Sequence, residues 1–557
     1  MKLPPLVRAL ALSALTALAM PAAFAADAAA AAAGDPGAVG AAIYEHGRTG
    51  AGEPLEGRRI AGRPALHGSD AACVNCHRRS GLGALEGLIR IPPITGRYLF
   101  RERDDKSTEG AVPFIETMHA DRTAYTDASL ARAIREGIDA DGHPLQVLMP
   151  RFDLGDADMA ALIAYLRGLD RERVPGVGES VLHFATIVAP DADPARAEAM
   201  LSVLQQYFRD KNEKAFLIGS NQTMRPSGRT MYAKAMAIVP RRWQLHVWKL
   251  EGEPSTWRAQ LERDFAAQPV FAVLSGIGAG TWEPVHRFCE DARLPCLFPN
   301  VDLPVQDRAG FYSMYFSPGL RIEAALVAEA IAGAPGSAPV AQVYRTGDSG
   351  EGAAGVLAAA LSTRGLAVQD HPLAPGAGPK ELRAAVAAAA ATGGPLVLWL
   401  RGPDLAALGE PPPGSAPVFA SGRLGGFELA PLPAPWRART RMAWEVDLPG
   451  ARSARLDYAL GWFSIRRIPL VDLPVQVDTW LACGLVSEVI NHLVDAFLPE
   501  YLVERVQDSL EHRLLTGYYP RLGLAAGQRF ASKGGMLVRF SGPEGGRTEA
   551  AGEWHVP

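Results

Sequence analysis

Cysteine is scarce, five residues in 557, which excludes the disulfide-built fold of a small secreted domain. No basic cluster breaks the chain, and a net charge of -4 leaves no electrostatic footprint for nucleic acid. Internal repeats are lacking, so a solenoid or propeller on a fixed period is not expected. Residues 181–557 offer no Ser-His-Asp set, metal cluster or nucleotide-cradling loop, and the protein is read as not an enzyme in its own right. Tryptophan is missing from the first 242 residues: all ten lie from Trp243 onward, a shift in composition that argues for different domains. Glycine (57) and proline (44) are dispersed through turns, apart from the low-complexity run Ala28–Ala33.

The N-terminus reads as an export signal. Lys2 and Arg8 form a basic start, Ala9 to Met20 is apolar without charge, and Ala23-Phe24-Ala25 supplies a small-residue cleavage site. The alternative is an uncleaved anchor, but the run is alanine-rich, broken by Pro21 and short of the roughly 20 apolar residues of a span. Residues 1–25 are therefore expected to be removed, leaving no membrane span and a protein exported to a Gram-negative periplasm. The remaining ~530 residues exceed one core, and two or three domains are expected. A charged, Pro/Gly-bearing stretch without periodicity at 173–180 is read as a linker.

Cys73-Val74-Asn75-Cys76-His77 has the C-x-x-C-H spacing. Two thiols so placed can attach one haem covalently while the adjacent histidine binds its iron. A zinc pair or a thioredoxin-like dithiol is the bland alternative, and export to a haem-attaching compartment weighs against it. The motif occurs once, so one haem c is expected and dihaem peroxidases are not. Candidates for the second axial ligand are Met118, His119, His143, Met149 and Met159. Met159 shares helical spacing with Leu162, Ile163 and Leu166 and reads as core. Met149 lies in the irregular Gln146-Val-Leu-Met149-Pro150, where Pro150 stops a helix and leaves the thioether presented on a loop. Met149 is preferred, and His119 and His143 stand as alternatives.

These pieces resemble the class I monohaem cytochromes c over roughly residues 36–170. The resemblance rests on Gly40 to Gly47, on Cys73 to His77, and on Ile91-Pro92-Pro93-Ile94-Thr95-Gly96. It continues through Tyr125-Thr-Asp-Ala-Ser-Leu130, Met149-Pro150-x-Phe152 and Ala164-Tyr-Leu-Arg167. It implies an all-α cytochrome domain over 26–172 in which Cys73 and Cys76 hold the haem, His77 is the proximal ligand and Met149 the distal one. A carbonyl at Pro92 or Pro93 is expected to orient the His77 ring. The stretch between Gly47 and Cys73 is longer than the family's usual lead-in.

From Val181 apolar strands alternate with helices, among them Val181–Val188, Pro269–Leu274, Val340–Tyr344 and Pro395–Leu400. Such β-α units predict parallel, doubly wound sheets, in two lobes for a stretch of this length. Phe271-Ala-Val-Leu-Ser-Gly-Ile-Gly-Ala-Gly-Thr281 and Val340-Ala-Gln-Val-Tyr-Arg-Thr-Gly-Asp-Ser-Gly350 resemble type I periplasmic binding proteins of the leucine/isoleucine/valine-binding-like group. The resemblance implies an α/β two-lobed domain over 181–557 closing on a small molecule. Ser275 and Thr281 flank small residues at a helix N-terminus, where free N–H groups favour an anion, so a carboxylate-bearing ligand is expected there. A Gly-rich turn that merely closes tightly is the alternative. Asp302, Tyr344 and Asp348 are weaker loop candidates. Cys289 and Cys296, at a helix end and the next strand start, are a candidate disulfide, with two packed thiols as the alternative; Cys483 reads as a buried helical thiol.

The combined expectation is a periplasmic c-type cytochrome that moves single electrons, coupled to a small-molecule-binding domain. Its redox partner is a periplasmic dehydrogenase or another electron carrier, and nucleic acid is not a partner. The alternative is a solute-binding component of an ABC-type uptake or sensing system with an accessory haem.

Overall fold

A computed structural model describes residues 35–59, 64–86, 89–100, 123–169, 173–221, 241–307, 309–333, 338–414, 416–427, 431–493, 496–525 and 527–556. The export signal at 1–25, Met118 and His119 lie outside the described residues. The chain divides into two compact units, the smaller ending at residue 170 and the larger running from residue 171 onward.

The smaller unit contains α1 (Pro36–His46), β1 (Glu56–Arg58), β2 (Leu66–His67), α2 (Val74–His77), β3 (Ala84–Glu86) and β4 (Ile89–Ile91). After these come α3 (Gly96–Leu99), α4 (Asp127–Glu136), β5 (Arg151–Phe152) and α5 (Asp156–Gly168). Local chemistry sets the helix limits. Asp35 accepts the Gly37 amide at the start of α1, and Gly47 ends it with φ 62°. Thr126 and Ser129 form a capping box on α4. The first and last long helices cross closely at Gly40, where a Cβ would sit 2.4 Å from the Ala161 carbonyl oxygen. Ile43, Tyr44, Leu130, Ile134, Leu162 and Leu166 close the core. Two small antiparallel sheets, β2-β1-β5 and β3-β4, depart from the expected all-α domain. Extended segments between short helices must pair their backbone groups somewhere, and here they pair with one another.

The larger unit holds two sheets of seven strands. The first is built from β6 (Val181–Val188), β7 (Arg242–Lys249), β8 (Ala272–Leu274), β9 (Ile277–Gly278), β10 (Cys296–Leu297), β11 (Asn300–Val301) and β12 (Ser313–Met314), all parallel where paired. β8 and β9 lie along the same edge of β6, interrupted at Ser275 (φ 59°), and Phe298 (φ 58°) interrupts β10 and β11 beside it. Two non-glycine residues in the left-handed region at one level mark a locally strained edge. Helices α6 (Pro194–Asn221), α7 (Pro254–Ala267) and α8 (Glu283–Asp291) accompany this sheet. Residues 173–180, read as a linker, are tied to it: the His183 amide donates to Gly176 O and the Gly178 amide to Val181 O, each at 2.9 Å.

The second sheet follows α9 (Leu320–Ala332). Its parallel strands β13 (Val340–Arg345), β14 (Val368–Leu373), β15 (Leu396–Trp399), β16 (Val418–Ser421) and β17 (Thr440–Trp444) carry α10 (Ser349–Ser362), α11 (Pro379–Ala390), α12 (Gly402–Ala406) and α13 (Ala434–Arg437). Helices α14 (Pro449–Arg466), α15 (Leu473–Leu493) and α16 (Pro499–Glu511) return to the first lobe. There Trp462 bonds Asp210 at 3.0 Å, and Lys211 bonds Ser487 at 2.7 Å. The chain then crosses back to add antiparallel β18 (Met536–Ser541) and β19 (Arg547–Ala550) to the second sheet. α15 is long and apolar enough to cross a membrane, and most of it is packed inside the unit, Cys483 included.

Candidate haem site and interlobe cleft

α2 is a single turn in which the His77 amide donates to Cys73 O at 2.9 Å. That turn sets Cys73 and Cys76 three residues apart on a helical surface, and neither is in a disulfide. His77 is buried, 5% exposed, and its Nδ1 lies 3.0 Å from Pro92 O. A carbonyl only accepts, so Nδ1 holds the proton and Nε2 keeps the lone pair a metal needs. Burial pushes the His77 pKa down to about 4, the neutral form required of a ligand. Cys73, Val74, Ile94 and Met149 pack against one apolar cluster.

Met149 stands on the irregular segment before Pro150. Its amide bonds Gln146 O at 3.1 Å, and its carbonyl accepts from Arg151. The alternatives fare differently: His143 projects into solvent beside Asp139, and Met159 is buried in the helical core. A neutral, oriented imidazole, two thiols on one turn and a thioether on the same apolar cluster are a donor set that fits haem c. Cys73, Cys76, His77 and Met149 are the residues that would hold it.

In the larger unit the carboxyl ends of the parallel strands of both lobes meet, the edge at which open α/β sheets place ligands. Ser275 is buried there, and its hydroxyl is engaged by Asn300 Nδ2 at 2.9 Å and Thr479 Oγ1 at 3.3 Å. Thr281 Oγ1 accepts the Glu283 amide at 3.3 Å, just ahead of α8. The amides of the loop between them do bind an anion, and it is internal: Asp191 accepts from Ala279 N at 3.2 Å and Gly280 N at 2.7 Å. Tyr344 is buried in the core of the second lobe.

Asp302 and Asp348 converge on Arg401, which follows β15. Arg401 Nη2 donates to Asp302 Oδ2 at 2.8 Å across the lobes, and Nε to Asp348 Oδ2 at 2.8 Å within its own. Ser349 Oγ lies between Ala279 O and Asp302 Oδ2, with one proton to give. Burial alone would raise the Asp302 pKa; the Arg401 guanidinium, helped by Arg196 and Arg423, more than offsets this and holds it down to about 2. Deeper in the seam Arg423 pairs with Glu445, which also takes the Ser317 hydroxyl, while Glu323 accepts from Ser421 and the Arg423 amide. Burial, then the neighbouring Glu445, pushes Glu323 up. Asp478 is pushed up to about 7 by burial; its Oδ1 is enclosed and its Oδ2 accepts from Tyr519 at 2.9 Å. Asp191, Ser349, Arg401 and Arg423 escape sequence reading, although Arg401 had one signal, a charge directly after the apolar run Pro395–Leu400. Cys289 and Cys296 form a disulfide with Cα atoms 6.1 Å apart.

Residues 67–170 match the family model for cytochrome c. No curated protein matches the chain. Among solved structures, a branched-chain amino acid ABC transporter protein from Thermus thermophilus with bound valine is similar, at 13% identity and TM-score 0.50, covering 68% of this chain and 98% of its own. A fatty acid ABC transporter substrate-binding protein from Thermomonospora curvata is 14% identical (TM-score 0.47, 69% and 95% covered). A possible leucine/isoleucine/valine-binding protein from Rhodopirellula baltica is 12% identical (TM-score 0.46, 69% and 98% covered). Coverage of that extent exceeds the smaller unit and falls mainly on the larger.

The chain is thus multidomain: residues 67–170, in its smaller unit, match a cytochrome c domain, which implies covalently bound haem c, and its larger unit has the fold of leucine/isoleucine/valine-binding type periplasmic binding proteins.

Proposed function

We propose that the protein is an exported c-type cytochrome that passes single electrons through one haem, and that its larger unit binds a small molecule between the lobes. The observation that supports this best is the buried His77, oriented by Pro92 O at 3.0 Å beside Cys73 and Cys76. Bound haem supplies one-electron redox chemistry. The chain's part would be to hold the group: Cys73 and Cys76 would anchor it through their thiols, and His77 and Met149 would supply its ligands, a thioether favouring a higher potential than a second histidine. With His77 and Met149 both committed as ligands there would be no place for a substrate on the group, so we read the domain as a carrier for a periplasmic dehydrogenase or a second carrier and not as an enzyme. The facing carboxyl strand ends of the two lobes favour a second reading, a solute-binding component of uptake or sensing with an accessory haem.

One experiment separates these. The purified, oxidised full chain is mixed with a periplasmic dehydrogenase fraction and its substrate, and haem absorbance is followed. Reduction only with that fraction supports the carrier reading. Ligand-dependent thermal stabilisation with no response of the haem to any dehydrogenase supports the second. Reduction by small molecules alone would make the protein an oxidoreductase and overturn both.

A further inference from the structure

The Arg401 guanidinium is unevenly used. Its Nε–Nη2 edge is filled by Asp348 of the same lobe, at 2.8 Å from Nε and 2.6 Å from Nη2. At the other edge Asp302 reaches over from the opposite lobe to Nη2, with Ser349 Oγ 3.4 Å from the same nitrogen; Nη1 makes no hydrogen bond among the described residues. A guanidinium edge offers two parallel N–H groups that match one carboxylate, so this edge is half filled. The Arg401 side chain retains 29% exposure, whereas Asp302 is 4% exposed. Asp302 follows β11 and Arg401 follows β15, so both stand at carboxyl ends of parallel strands. The pattern is repeated nearby, where Asp191 fills the amides of Ala279 and Gly280.

We propose that Arg401 is the receptor for the carboxylate of a small ligand in the interlobe cleft, and that Asp302 is the chain's own stand-in for that carboxylate. The proposal rests on the reading of the larger unit as a small-molecule binder and names its anion site. The external carboxylate takes the Nη1–Nη2 edge and displaces Asp302. Binding is therefore coupled to parting of the one direct ion pair described between these strand ends, and wild-type affinity is lowered by an intramolecular competitor. A carboxylate is preferred over a spherical anion because the open edge is planar and two-pronged. Asp302 also explains how the seam stays shut without ligand: it links Arg401 to the first lobe, and Ser349 links α10 to the Ala279 carbonyl.

The test uses the full haem-bearing chain and sodium acetate as probe, by calorimetry and thermal shift, at ionic strength held constant with sodium chloride. Asp302→Ala removes the stand-in and leaves room for a carboxylate. It is expected to bind acetate about ten-fold tighter than wild type or better, and the double variant Asp302→Ala/Arg401→Leu loses the gain. Equal acetate affinity in wild type and Asp302→Ala, a gain that survives loss of Arg401, or an equal response to chloride would each overturn the proposal. If Asp302→Ala does not melt cooperatively, Asp302→Asn keeps the volume, and the same gain is required of it. The broader binding reading fails differently, when a calorimetric screen of small molecules finds no ligand for wild type or variant. The haem absorbance stays unchanged throughout.

Discussion

Among its described residues the smaller unit fully buries one basic or acidic side chain, His77, and satisfies it with a single carbonyl. The larger unit buries His286, Asp302, Glu323, Glu445, Arg452, Glu500, Glu504 and Arg529, and of these Asp302 pairs with Arg401 across the lobes. An apolar surround around one imidazole suits a fixed cofactor whose potential depends on a dry, unchanging setting. A seam of carboxylates and guanidiniums suits surfaces that must part and rejoin, because each charge removed from its partner can be hydrated or taken by a ligand.

The largest expected effect breaks the first side of that contrast. Cys76→Ala should abolish the two-bond attachment, seen as a sharp loss of haem stain in denaturing gels, with the melting of the larger unit unmoved. Unchanged stain would remove the attachment assignment. Next, Met149→Ala should keep the covalent haem but lose the weak sulfur-to-iron band at the red end of the spectrum and lower the reduction potential. Persistence of the band would move the distal ligand elsewhere.

On the other side, Trp257 is 1% exposed and bonds Gly252 O at 3.1 Å. Trp257→Ala should cost the larger unit about 3–5 kcal/mol in urea unfolding, with the haem spectrum unaltered. A parallel shift of the haem spectrum would show that the two units do not respond separately. Replacing Cys289 and Cys296 by serine should lower the same transition by ~2 kcal/mol, as expected for a short closed loop, and reductant should do likewise to the native chain.

The smallest effect concerns pH. Asp478, pushed up to about 7, and Glu323, also raised, bind a proton more tightly folded than unfolded. Their contribution is present below the ordinary carboxylate range and is lost as pH rises through the folded values, so the larger unit's urea midpoint should fall on going from pH 6 to 8. Asp302, held down to about 2, acts oppositely: its contribution is present above 3.8 and lost as pH falls toward 2. A larger-unit midpoint that rises from pH 6 to 8 would show those carboxylates ionised in the fold.

Sequence reading served the two units unequally for a definite reason. Cys73, Cys76 and His77 are close neighbours in the chain, and Met149, far from them, was marked by Pro150 and by the family pattern Met149-Pro150-x-Phe152. Pro92, fifteen residues from His77, was within reach of a family pattern. In the cleft, Ser275 meets Thr479 across 204 positions and Arg401 meets Asp302 across 99. No local period marks such pairs, so the contacts of Asp191, Ser349 and Arg401 were not legible in the sequence, and Asp302 stood out only as a polar loop residue.

Composition, the C-x-x-C-H turn and the alternation of apolar strands with helices determined that a haem domain precedes a doubly wound α/β domain, because each depends on residues within a few turns of one another. The tertiary structure alone decided which charges oppose each other across the lobes and which amides are already filled. Those choices are made where strand ends from distant parts of the chain are brought to one edge, and burial there makes each unpaired charge too costly to leave without a partner.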